Sequence, residues 1–164
     1  MCFLAPLLAC LSESDKPSKA GRALVLAPLK ALAHDLLRAT KALQVHAASC
    51  ADAAEASDPR SLPPASVARL RRIAALVVAS YDGDTPAELR PSVRKTAQLI
   101  FTNIDMLHSG LLPHHGAWPV SWWANLRTVV LDEARGRLHT ARAEHRVQSF
   151  MFFSPFFLVC FFHI

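Results

Sequence analysis

The sequence predicts an all-α protein, an irregular bundle of about four helices. Between residues 28 and 131, apolar side chains recur at alternating steps of three and four residues, the spacing of one helix face. Eleven prolines outnumber five glycines, and most of them lie between these periodic stretches, where helices start and stop. Period-two runs of aromatic and β-branched residues, which mark half-buried strands, are missing from residues 12–147.

The first helix is expected from near Pro28 to about Ser57. Proline suits the first turn of a helix, because its missing N–H has no partner there anyway. Asp58-Pro59 then ends the helix. Its inward stripe is predicted to consist of Leu29, Leu32, Leu36, Ala39, Leu43 and Cys50.

Two further helices are expected in the middle of the chain. One runs from about Ala65 to Tyr81 and ends at the turn 82–84. The pattern Thr85-Pro86-Ala87-Glu88 resembles a capping box, and the main helix after it is expected from Ser92 to Ser109. The inward positions of the two helices are Val67, Leu70, Ile73, Val77 and Tyr81, then Val93, Ala97, Ile100, Ile104 and Leu107.

The last helix is expected from Pro119 to about Ser149. Its apolar face weakens beyond Asp132, since polar and small residues take the next inward positions. The proline starts at 28, 64, 91 and 119 fit an up-down bundle better than a strict repeat. A HEAT-like helical array is the alternative.

The C-terminal tail differs in composition from the rest of the chain. Residues 150–164 hold seven of the nine phenylalanines and no acidic or basic side chain apart from one histidine. We therefore expect an apolar, flexible segment at 1–21, a helical domain at 22–146 and a hydrophobic tail at 147–164. The tail is interpreted as a membrane anchor, as a segment docked on the body, or as a non-native end translated from a retained intron. Its phenylalanines are Phe150, Phe152, Phe153, Phe156, Phe157, Phe161 and Phe162.

The charged residues favour a solvated surface. Eighteen basic and thirteen acidic residues give a formal net charge of +5, and no block of like charge occurs. Interleaved aromatic residues, which strand-binding surfaces usually carry, are absent from the basic region. Nucleic acid is therefore predicted to be an unlikely partner. The densest basic region is Arg69, Arg72, Arg90, Arg94 and Lys95.

Three tryptophans form the most concentrated aromatic cluster outside the tail. Trp118 and Trp122 share one helix face, and Trp123 lies one turn from Arg127, a spacing that allows a cation–π pair. Such a cluster is either the anchor of a protein interface or a staple that fixes a loop to the helix start.

Motifs for catalysis or metal binding are missing from the sequence. It holds no G-x-S-x-G, no glycine-rich phosphate loop and no H-E-x-x-H. The eight histidines and four cysteines lack the spacing of metal ligands. Asp132 and Glu133 would diverge on a helix. We therefore predict no catalytic, cofactor or metal site, and a protein that is not an enzyme.

The sequence favours a non-enzymatic helical module for protein–protein interaction or scaffolding, inside the cell in the cytoplasm or nucleus. A protein is its expected partner, and it is interpreted either as whole or as a truncated product of a longer protein. The alternatives are a tail-anchored membrane protein with a cytosolic helical domain, a basic nucleic-acid-associated helical protein, and an enzyme fragment without its catalytic half.

Overall fold

The computed structural model describes residues 3–13, 21–56 and 62–132, together with the backbone of two strands at 152–154 and 157–162. Its centre is a parallel β-sheet with helices packed on both faces, an α/β architecture. The prediction of an all-α bundle, and that of a HEAT-like array, is therefore wrong.

Four neighbouring parallel strands form one side of a six-stranded sheet. Their order is β2-β3-β1-β4, with β2 at the edge of the sheet, and they all run in the same direction. The strands are β1 (Arg22–Ala27), β2 (Val78–Ser80), β3 (Leu99–Asn103) and β4 (Leu126–Asp132).

Helices precede, connect and follow these strands. The longest, α2, leaves the carboxyl end of β1 and has 27 residues. The helices are α1 (Leu4–Leu11), α2 (Lys30–Ala56), α3 (Pro64–Ala75), α4 (Arg90–Thr96), α5 (Ile104–Met106) and α6 (Val120–Ala124). A π-helical turn at Leu107–Leu111 continues α5, and a 3₁₀ turn spans His115–Ala117.

Three of the expected helices therefore change their extent. The second ends at Ala75 and gives way to β2. The third ends at Thr96, and β3 occupies its centre. The fourth has only five residues before β4 begins. Parallel strands covered on both faces read as short continuous apolar runs, which periodicity cannot separate from a buried helix.

The core has two layers, one on each face of the sheet. On one face, α1, α2 and α3 cover a layer that includes Val25, Leu36 and Phe101. On the other face, α4, α6 and the segment 107–118 cover a layer that includes Leu24, Ile100 and Trp122. Adjacent residues of β1 and of β3 thus enter opposite layers, as alternation along a strand requires.

The C-terminal tail enters the structure only as backbone. Strand β6 (Phe157–Phe162) pairs in parallel with β4, and β5 (Phe152–Ser154) pairs antiparallel with β6. Phe150 and Phe156 lie outside the described residues. Among the helices that the structure describes, none is long and apolar enough to span a membrane. The three interpretations of the tail, and the predicted domain boundaries, stay predictions.

Candidate functional site at the carboxyl edge of the sheet

The carboxyl ends of the parallel strands meet at one edge, which is where ligands bind in open α/β sheets. The segment after β1 leads into α2 at Lys30. The segment after β2 is the turn 82–85, and β3 is followed by α5. Asp132 ends β4 at the same edge.

Lys30 stands at the N-terminus of α2 and forms an ion pair with the turn after β2. Its Nζ donates a hydrogen bond to Oδ2 of Asp84 at 2.7 Å. Both side chains are well exposed, at 41% and 67%. The hydrogen bond from Lys30 lowers the pKa of Asp84 below its usual value, and the same bond raises the pKa of Lys30.

Asp82 fixes this turn from inside. Asp82 is only 1% exposed. Its Oδ1 accepts hydrogen bonds from the backbone N–H groups of Asp84 and Thr85, at 2.9 and 3.1 Å. Its Oδ2 accepts one from Nε2 of His34 at 2.7 Å. Because Lys30 and His34 are one helical turn apart, the turn is held to α2 at two successive points.

Arg90 closes the turn on its other side. Its Nε donates to the carbonyl oxygen of Thr85 at 3.0 Å, and its Nη2 to that of Asp82 at 3.3 Å. Its guanidinium also lies over the ring of Tyr81, 5.8 Å from the centroid. The turn 82–85 is therefore a rigid platform beside Lys30.

Asp132 is the second polar feature of this edge. The residue is 9% exposed, and the register that pairs Leu26 with Leu131 brings it beside the end of β1. The sequence argument missed it, because it placed Asp132 and Glu133 on a helix. The signal was present in the apolar run Val129-Val130-Leu131 that ends in two carboxylates, the pattern of a buried strand reaching a sheet edge.

The predicted basic region does not form one patch. Arg69 and Arg72 lie on α3 and bind the C-terminal end of α1, through the carbonyl oxygens of Ala9 at 3.2 Å and Ser12 at 2.7 Å. The other three members, Arg90, Arg94 and Lys95, lie on α4. Since α3 and α4 cover opposite faces of the sheet, the two sets are separated by the core.

The tryptophan cluster lies mostly in the core. Trp118 and Trp122 are 3% and 0% exposed, their ring centroids are 4.8 Å apart, and Trp123 lies 5.0 Å from Trp122. The indole N–H of Trp122 donates to the carbonyl oxygen of Ala97 at 3.0 Å. These contacts hold α6 against the sheet. A role of the three tryptophans as the anchor of a protein interface stays a prediction.

The cation over this cluster is Arg22 rather than Arg127. The Arg22 guanidinium lies 5.9 Å from the centroid of Trp122 and donates to the carbonyl oxygen of Ala97 at 2.7 Å. Burial lowers the pKa of Arg22. Arg127 is exposed on β4, and the pair expected between Trp123 and Arg127 is not among the cation–π contacts of the described residues.

Within the described ranges, no three side chains of His, Cys, Asp or Glu lie close enough to hold a metal ion.

Comparison with known proteins decides the family. The model of the DEAD/DEAH box helicase family matches residues 1–147. The chain belongs to this family.

The relatives of this helicase-family chain are much longer than it is. The ATP-dependent helicase YprA of Bacillus subtilis is 34% identical over 142 residues, which are 87% of this chain and 14% of YprA. The ATP-dependent helicase HRQ1 of Saccharomyces cerevisiae is 49% identical over 57 residues, 35% of this chain and 5% of HRQ1. The chain thus spans a small part of each relative.

A solved helicase also has this fold. The crystal structure of the DUF1998 helicase MrfA matches with a TM-score of 0.52 and 31% identity, over 80% of this chain and 16% of that one. MrfA was also crystallised with DNA and AMPPNP, and that structure matches 69% of this chain and 12% of its own at 34% identity, with a TM-score of 0.47.

These findings correct three predictions. The chain is a DEAD/DEAH helicase domain rather than a scaffold module, and its relatives are ATP-dependent enzymes, so the prediction of a non-enzyme is wrong. The prediction that nucleic acid is an unlikely partner is wrong as well, because the chain belongs to a family of helicases.

The family name also points to the end of β4. The letters D-E-A of DEAD and DEAH correspond to Asp132, Glu133 and Ala134, whereas Arg135 stands at the fourth position. The sequence therefore has the two carboxylates of the motif. At the fourth position, where DEAD and DEAH differ from each other, it has an arginine instead of an aspartate or a histidine.

Proposed function

We propose that this chain works within an ATP-dependent helicase and that the carboxyl edge of its sheet contacts the nucleic-acid strand. Family membership and the ATP-dependent relatives support the helicase assignment. The observation that carries the strand contact is Lys30, an exposed cation at the start of α2, at the edge where parallel sheets bind ligands.

The surroundings of Lys30 suit a phosphate group. The N-terminus of a long helix attracts anions, because its first N–H groups and the helix dipole point toward them. The ammonium group of Lys30 is now bonded to the Asp84 carboxylate. A carboxylate oxygen of Asp84 thus takes the position that a phosphate oxygen would take when a strand is bound. Exposed ion pairs contribute little to stability, so replacing this carboxylate by a phosphate costs little free energy.

Asp132 suits the metal that accompanies a nucleotide. Mg²⁺ prefers carboxylate oxygens, and P-loop NTPases hold it partly by an Asp at a strand end. When bound, Mg²⁺ neutralises charge on the nucleotide phosphates. The 164 residues contain no G-x-x-x-x-G-K-[ST] segment, so we assign to this chain the strand contact and the metal-side carboxylate, and not the phosphate cradle.

A binding titration tests the strand contact. The affinity of the 164-residue chain for a fluorescent single-stranded DNA is measured by anisotropy at several salt concentrations, for the wild type, Lys30→Gln and Lys41→Gln. Lys41 is an exposed lysine further along α2 and serves as the matched control. Loss of one phosphate contact in Lys30→Gln should lower the slope of log affinity against log salt by about 0.7.

Lys41→Gln should keep the wild-type slope and affinity. If the two variants behave alike, Lys30 does not contact the strand. If the wild type binds no strand at any salt concentration, the proposed nucleic-acid contact is wrong.

A further inference from the structure

The outer edge of β4, the side that faces away from β1, is a surface to which a β-strand can be added. Among the four parallel strands β4 is outermost and pairs with β1 on its inner side. It has seven residues and contains the apolar run Val129-Val130-Leu131. A long apolar edge presents N–H and C=O groups that recruit strands of other molecules. This edge therefore needs a partner.

In this chain β6 lies along that edge. Residues 158–162 pair one to one, in parallel, with residues 128–132 of β4. The ladder thus covers the last five of the seven residues of β4. In strand addition the main-chain hydrogen bonds supply the affinity, so this register alone provides an attachment.

The sequence of β6 suits a position between two other strands. It reads F-L-V-C-F-F and has no charged residue, glycine or proline. Parallel strands that are covered on both faces have such short continuous apolar runs, and a proline inside one would remove a ladder hydrogen bond. Pro155 stands before the strand and not in it.

The hairpin that contains β6 gives the sheet a short outer edge. Residues 152–154 of β5 pair antiparallel with residues 157–159, and the two residues between these segments are a common hairpin length. Very short edge strands are one means by which proteins prevent edge-to-edge association. The tail thus replaces an outer strand of seven residues by one of three.

We propose that residues 152–162 close the β4 edge from within the same chain and so prevent it from adding a strand of another molecule. The family match ends at residue 147, so the closing hairpin belongs to a segment outside the matched region. The inference does not depend on nucleic-acid binding at Lys30, because it concerns the pairing of the sheet alone. A second copy of the chain and a membrane are the competing partners.

Hydrogen exchange of the full 164-residue chain, followed by mass spectrometry, tests the pairing. Peptides that cover 126–132 and 157–162 should both be protected, and light scattering should give the mass of one copy. Exchange of 157–162 at the rate of an unstructured chain would overturn the proposal. A dimer mass with protection that grows with concentration would overturn it too, because a second copy would then supply the strand. Co-sedimentation of the chain with phosphatidylcholine vesicles would likewise overturn it in favour of a membrane anchor.

Two double variants separate the ladder from the side chains. Val159→Pro with Cys160→Pro removes two N–H donors from the centre of β6, whereas Val159→Ala with Cys160→Ala keeps both donors. The proline pair should speed exchange in 126–132 by about two- to ten-fold for each ladder hydrogen bond lost and should produce dimers as the concentration rises. The alanine pair should stay monomeric and exchange nearly as slowly as the wild type.

Exchange in β1 and β3 shows whether the rest of the sheet remains folded. If these strands stay protected and 126–132 exchanges equally in the two double variants, β4 does not depend on β6 and the proposal is overturned. If the proline pair unfolds the whole chain, the wild-type exchange of 157–162 decides by itself.

Discussion

Lys30 and Asp84 are 54 positions apart in the sequence and are joined by a 2.7 Å hydrogen bond between Nζ and Oδ2. The bond links the start of α2 to the turn after β2. It pairs the cation proposed for strand binding with an exposed carboxylate, which competes with phosphate for the same ammonium group.

Removing that competitor should strengthen strand binding. In Asp84→Asn the carboxylate charge is lost, Lys30 is freed, and one source of repulsion for phosphate disappears. We expect the affinity for single-stranded DNA at low salt to rise by about two- to five-fold, in line with an exposed charge pair. Anisotropy titration measures the change.

Asp35→Asn is the matched control for this experiment. Asp35 is also an exposed carboxylate on α2 and pairs with Arg38, one helical turn further on. Asp35 does not pair with Lys30, so its loss should change affinity less than the loss of Asp84. Equal gains from both variants would attribute the effect to net charge rather than to Lys30.

The same pair makes a small part of the stability pH-dependent. The pKa of Asp84 is lowered in the folded protein by the hydrogen bond from Lys30, so its contribution is present above its ordinary value of 3.8 and is lost as the pH falls through the folded pKa. The pKa of Lys30 is raised, so its share is lost only as the pH rises above 10.5. Urea midpoints of the wild type and Asp84→Asn should differ between about pH 5 and 9. They should converge below the folded pKa of Asp84, and a difference that grows on acidification would contradict this assignment.

Asp82 should matter more for stability than Asp84, although each carries one charge. Asp82 is buried, and its carboxylate accepts four hydrogen bonds: two from backbone N–H groups, one from His34 and one from the hydroxyl of Thr85. Asp82→Ala leaves these donors without their acceptor. We expect a loss of about 2–3 kcal/mol in the free energy of unfolding, measured by urea denaturation. A loss no larger than that of Asp84→Ala would show that the turn does not depend on its buried carboxylate.

Two buried tryptophans allow a comparison in which the same substitution removes the same side-chain volume. The N–H of Trp122 is hydrogen-bonded to Ala97, whereas Nε1 of Trp118 is buried without a partner among the described residues. Trp122→Phe therefore loses a hydrogen bond that Trp118→Phe does not. Trp122→Phe should be more destabilising by about 1 kcal/mol, the net contribution of one such bond. The opposite order in urea denaturation would mean that Trp118 has a partner in solution.

The helix α2 could be predicted from the sequence because its signal is local. The position of the helix was predicted better than its inward face. Of the expected stripe, Leu36 is buried, whereas Leu29 and Leu43 are 64% and 38% exposed. The strands gave no comparable signal. β3 is the run L-I-F-T-N, and its first four positions are buried, so no polar residue marks an exposed face. A run as short as this one fits a strand and a buried helix equally well.

The site could not be predicted because its residues meet only through the sheet. Asp82 and Asp84 were recognised as parts of a turn, but their partners His34 and Lys30 are 48 and 54 positions away. The position of Asp132 beside the end of β1 follows from the parallel pairing of β1 with β4. That pairing forms only when both segments are strands of one sheet. A helix predicted over residues 119–149 includes Asp132 and Glu133, so it leaves no sheet edge at which these two carboxylates could lie.

Crosslinking to a photoreactive strand tests the central claim most directly. The 164-residue chain is irradiated with single-stranded DNA that carries 4-thiothymidine, and mass spectrometry identifies the attached residues. The proposal predicts crosslinks in the segments after β1 and β3, at 28–30 and 104–110. Crosslinks confined to the region around Arg69 and Arg72 on α3 would contradict the proposal that the carboxyl edge of the sheet binds the strand.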